Sequence, residues 1–140
     1  MADLVLVRPL RDVDIPIEEQ LDAYTAFRTQ DLFERHGVQT KHQGLFTVDG
    51  VETRRLFTFT WEQLVTFLRA HPERAESALQ RSRQCRGTYD QDILERDGGR
   101  YVLYWQDRFC RRSEKFYDDL SAAAADWFTT QYGMWLHDQV

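Results

Sequence analysis

Apolar residues fall into runs of different period along the chain, and each change of period marks an element. Leu4-Val5-Leu6-Val7 is short and unbroken, as in a buried strand, and Pro9 ends it because proline offers no N–H to a ladder. From Ile15 to Gly37 the spacing becomes helical. Pro16, Glu18 and Glu19 suit a first turn, where free N–H groups and the positive end of the dipole favour acid. Gly37 is a natural stop after Arg35 and His36. Ile17, Leu21, Tyr24, Arg28 and Leu32 share one face while Phe27 and Phe33 point elsewhere, so this segment is covered on more than one side or broken near Thr29.

Two β-rich runs then flank Asp49-Gly50, a dipeptide that tolerates the positive φ of a tight turn, and predict a hairpin from Gly44 to Phe59. Thr60 and Gln63 have the capping-box spacing, and Trp61, Leu64, Val65 and Leu68 follow at helical intervals. His71-Pro72 interrupts, since the residue before proline avoids helical angles, and Pro72 opens a second helix ending near Gly87. A second hairpin runs from Thr88 to Cys110 about Asp97-Gly98-Gly99. In its second strand Tyr101, Leu103, Trp105 and Phe109 lie on one face and Val102, Tyr104, Gln106 and Arg108 on the other; aromatics on both faces predict a central strand.

The last predicted element is a long helix from about Ser113 to about Trp135. Phe116, Leu120, Ala123, Trp127 and Met134 form one stripe, Tyr117, Ala124, Phe128 and Trp135 a second, and Ala122 to Ala125 favour helix strongly. The order hairpin then helix thus occurs twice, as shared architecture without residue-level repetition. The resulting expectation is a single α+β domain over residues 1–140. It has a mostly antiparallel sheet of about five strands, made of the N-terminal strand and two hairpins, and three to four helices, the C-terminal one longest.

Composition narrows the partners. A chain of 140 residues with 42% hydrophobic and 29% charged residues is a folded, well-solvated domain. Its formal charge of -5 argues against wholesale binding to nucleic acid or an anionic membrane. Met-Ala-Asp places acid where a signal peptide needs base, no run is long enough to span a bilayer, and two cysteines make no disulfide framework, so the expected compartment is the cytoplasm.

Candidate chemistry is sparse. Cys85 and Cys110 each sit among arginines, which would favour a thiolate. Arg81, Arg83 and Arg86, however, are sufficiently explained as the complement of a helix C-terminus, leaving Cys110 as the better-placed thiol. Arg81, Arg83, Arg86, Arg108, Arg111 and Arg112 could converge on a phosphate or nucleic acid with Trp105 or Tyr104 as a stacking surface, but Asp107, Glu114, Asp118 and Asp119 are interleaved.

Asp90, Asp92, Glu95 and Asp97 could hold a hard cation. Counted from Asp90, an EF-hand loop would place Leu94, Glu95 and Tyr101 where it wants acid, glycine and glutamate, so the motif fails. No HExxH or CxxC supports zinc, and neither a catalytic motif nor a cofactor motif is present. The aromatic load of 14% is the strongest signal. Trp and Tyr combine area with a polar handle, which predicts a protein-binding surface at Tyr104, Trp105, Trp127, Phe128 and Trp135, taken by a partner or a second copy of the chain. The expectation is a non-catalytic adaptor or regulatory protein. Phosphoanion or nucleic-acid binding by the arginines, and thiol chemistry at Cys110, are the alternatives.

Overall fold

The computed structural model describes residues 14–26, 28–37, 41–42, 46–48, 51–52, 57–85, 91–107 and 110–131. They gather into two compact units, one drawn from residues up to Gln63 and the other spanning Leu64–Gln131.

In the first unit the expected helix is two, α1 (Ile17–Thr25) and α2 (Thr29–Arg35), and the break falls where the apolar stripe loses its phase. At the end of α1 the Thr25 hydroxyl donates to the Asp22 carbonyl at 3.1 Å, and the Arg28 N–H reaches back five residues to the Ala23 carbonyl at 2.7 Å, so the ladder widens and stops. Gly37, at φ 81°, closes α2 in the left-handed conformation that lacks a Cβ penalty in glycine. Gln20 is buried: its Nε2 donates to the Ile15 carbonyl and the Thr58 hydroxyl, while its Oε1 accepts the Thr58 N–H. A polar side chain at this depth is tolerated because it is hydrogen-bonded, and it ties α1 to the bend at Thr58.

The same unit contains β1 (Lys41–His42), β2 (Phe46–Val48) and β3 (Val51–Glu52), an antiparallel sheet in that order. Val48 pairs with Val51, the register of a two-residue connection. Asp49-Gly50 themselves, and the expected strand at Leu4–Val7, lie outside the described residues.

Helix α3 (Trp61–Ala70) starts at the capping box: the Gln63 N–H donates to the Thr60 hydroxyl at 3.1 Å, and the Thr60 N–H to the Gln63 carbonyl oxygen at 2.8 Å. It ends at His71, whose ring stacks on Phe67 at 4.3 Å and whose Nδ1 donates to the Phe67 carbonyl. Helix α4 (Pro72–Cys85) begins at once and buries Ala75, Ala78, Leu79 and Ser82, one stripe at helical spacing.

The second sheet is β4 (Gln91–Asp97), β5 (Arg100–Asp107) and β6 (Cys110–Tyr117), antiparallel in that order. Asp97 pairs with Arg100 across Gly98-Gly99, and Gly98 takes φ 64°. Helix α5 (Leu120–Gln131) packs on α4 and on this sheet, burying Ser121 and every residue from Ala123 to Thr129, so it is buried nearly all round.

Several expectations are corrected. Among the described residues, the single sheet of about five strands is instead two sheets of three, because each hairpin is completed by a neighbouring strand, β1 before the first and β6 after the second. Five helices stand among the described residues where three to four were expected. Residues 113–117 are strand, and α5 starts at Leu120, where Asp119 caps it by accepting the Ser121 N–H at 3.0 Å. Within the described residues α5 has 12 residues and α4 has 14, and the expected continuation of the last helix to Trp135 lies outside them.

Candidate functional site at the outer strand of the second sheet

The two edges of the β4–β6 sheet differ. At β4, the Leu94 N–H donates to the buried Ser82 hydroxyl at 2.6 Å, and Arg96 pairs with Glu76 at 2.7 Å, so α4 closes that edge. At the other edge, Cys110 through Phe116 are exposed, and among the described residues no strand pairs with the outer side of β6.

A bulge shapes this strand. Leu103 pairs with Lys115 and Trp105 with Arg112, so β6 spends one residue more than β5 over the same distance. Ser113 carries the bulge at φ 57°. The extra residue moves Arg111 and Arg112 to the faces opposite those an unbroken ladder would give them. Arg111 then lies over the Tyr104 ring at 4.1 Å, and Arg112 reaches Asp107 at 2.9 Å. Arg111 also meets Glu114 at 3.5 Å. Further along, Arg100 covers the Phe116 ring at 4.0 Å and Lys115 lies 5.3 Å from that of Tyr117.

Beneath β6, the carboxylate of Asp126 is fully buried on α5. Its Oδ2 accepts the Tyr117 hydroxyl and, at 3.3 Å, the Lys115 ammonium. Burial, then the hydrogen bond and charge of Asp126, push the Tyr117 hydroxyl well above the ordinary tyrosine range, so it remains a donor and cannot act as a base. Nearby, the Trp127 indole N–H donates to the Asp92 carbonyl at 3.3 Å. Burial raises the Asp92 carboxyl above its usual value, partly offset by a hydrogen bond from Thr130. At the start of α5, burial also acts to raise Asp119, but the Arg69 hydrogen bond and charge and the Ser121 and Ala122 N–H groups outweigh it and hold that carboxyl low.

The residues singled out from the sequence scatter across this frame. Trp105 is 39% exposed, whereas Tyr104, Trp127 and Phe128 are buried. Arg81 and Arg83 are exposed on α4, Arg111 and Arg112 lie on β6, and Arg86, Arg108, Asp90 and Trp135 fall outside the described residues. Cys85 ends α4; Cys110 opens β6 as an exposed free thiol opposite Asp107 in the ladder. Asp92 faces the side of Trp105, while Glu95 and Asp97 face the other side, so the acids of β4 are divided between faces. No cluster of three metal-ligating side chains occurs among the described residues.

The sequence reading missed Phe116, which is 41% exposed, and Asp126. Asp118-Asp119 before an apolar run is a helix-start signal, and placing the start there frees the preceding residues to form a third strand. Comparison with protein-family models, curated proteins and solved structures gives no match.

Proposed function

We propose that this chain is a small cytoplasmic, non-catalytic binding protein of adaptor or regulatory kind, holding a protein partner through the surface of β5 and β6. The observation that carries this reading is that Trp105 and Phe116 are the large apolar side chains left exposed among the described residues, and both belong to these adjoining strands, on opposite faces of the sheet. Exposed aromatics beside arginines are the composition of binding hot spots. In agreement with an extramembrane role, no described helix is long and apolar enough to cross a membrane.

Phosphoanion or nucleic-acid binding has less support. Arg112 is engaged by Asp107, and Arg111 by Glu114 and Tyr104, so an incoming phosphate would compete with pairs already made. The test is affinity capture from a lysate by the wild type and by Trp105→Ala with Phe116→Ala. The double variant should retain its melting temperature and lose the wild type's captured proteins; an unchanged set would refute the reading.

A further inference from the structure

We infer that Lys115 is an acylation site: its amine takes the acyl group of a small acyl thioester, with Asp126 as the base and Tyr117 holding that base in place. This goes beyond the binding surface proposed above and does not depend on it. The three side chains meet where β6 packs on α5. Lys115 Nζ lies 3.3 Å from Asp126 Oδ2, and the Tyr117 hydroxyl donates to that same oxygen. A nucleophile within reach of a base that a third group orients is the arrangement by which protein nucleophiles are activated.

Burial divides the pair in the way such a reaction needs. The Asp126 side chain is 1% exposed and that of Lys115 is 54% exposed, so the base is out of water while the amine stays open to a reagent. Proton transfer inside such a pair leaves two neutral groups, and burial disfavours charge. The choice of cation points the same way. The chain has 16 arginines and only two lysines, Lys41 and Lys115. Arginine serves the partly exposed carboxylates of Glu76, Asp107, Glu114 and Asp119. Lysine, the cation that can give up its proton, serves the buried one.

In the reaction the bond from Lys115 Nζ to the acyl carbon forms as the C–S bond of the thioester breaks. Two ammonium protons are lost, one to Asp126 and one to the departing thiolate, which leaves as the thiol. The product is a neutral amide. Acylation therefore removes the cation that faces Asp126 and the Tyr117 ring, 5.3 Å away, and loosens the junction of β6 with α5.

The test incubates the full chain at neutral pH with the acetyl thioester of N-acetylcysteamine. Hydroxylamine then strips any thioester from the exposed Cys110 and spares the amide. Peptide mass mapping should show Lys115 gaining acetyl at least tenfold faster than Lys41 and than a lysine in an unstructured peptide. Asp126→Asn should bring Lys115 down to the rate of the peptide lysine. Tyr117→Phe, which keeps the carboxylate beside the amine, should slow labelling at least threefold and carries the test if Asp126→Asn does not fold. The acetylated chain should melt at least about 2 °C below the untreated one, while Lys115→Arg treated alike keeps its melting temperature. Labelling of Lys115 no faster than that of the peptide lysine, or at the wild-type rate in folded Asp126→Asn or in Tyr117→Phe, would overturn the site. An acetylated chain with an unchanged melting temperature would overturn the loosening of β6 from α5.

Discussion

Ser113 holds a left-handed backbone, φ 57°, in the middle of a strand, a conformation that ordinarily costs an L-residue about 1–2 kcal/mol. The bulge that requires it also aims Arg111 at Tyr104 and Arg112 at Asp107. Ser113→Gly should therefore stabilise the protein by about 0.5–1 kcal/mol in denaturant melts, since relief of strain exceeds the added chain entropy. Ser113→Val, with a branched Cβ, should destabilise it. Loss of stability in the glycine variant would contradict the bulge.

Asp92 makes a prediction of opposite kind. Its carboxyl is raised, first by burial, so between about pH 4 and its native value the folded state binds more protons than the unfolded one. Its contribution is then fully present below about pH 4 and is lost as pH rises through the native value. Asp92→Asn should raise the melting temperature at pH 7 and flatten this part of the pH profile. A lower melting temperature at pH 7 would mean that the ionised group is stabilising.

At the scale of elements, α5 is core and β6 is surface, the reverse of what the aromatic pattern invites. Trp127 is 2% exposed, so Trp127→Ala should cost about 3–5 kcal/mol, whereas Phe116→Ala on β6, at 41% exposed, should change stability by less than about 1 kcal/mol. Similar losses in chemical denaturation would contradict this division. Much of the local structure was readable beforehand. The capping box at Thr60 and Gln63, the break at His71-Pro72 and the Asp97-Gly98-Gly99 hairpin all rest on contacts between near neighbours. β6 was not readable in the same way. Phe116 and Leu120 keep helical spacing across the Asp119 cap, while the evidence for a strand is its ladder with β5, a pairing no local period displays. The division into two sheets was hidden for the same reason. In the candidate site Trp105 was legible as an aromatic on a mixed strand, but Phe116 was absorbed into a helix stripe and Asp126 into an alanine-rich run.

For the whole molecule, a chain of this length is expected to unfold as one domain, with calorimetric and van't Hoff enthalpies in agreement. Two separate transitions would instead make its two compact units independent. The functional account depends on a more local feature, that among the described residues α4 lies against one edge of the second sheet and no strand pairs with the other. Amide hydrogen exchange on the isolated full-length chain, resolved by residue, measures this directly. The Leu94 amide, held by Ser82, should exchange slowly, as should the interior of α5, while the amides of β6 that face away from β5 exchange far faster. Outer β6 amides as slow as Leu94 would mean that the edge is already covered, and would contradict its role as the place where a partner binds.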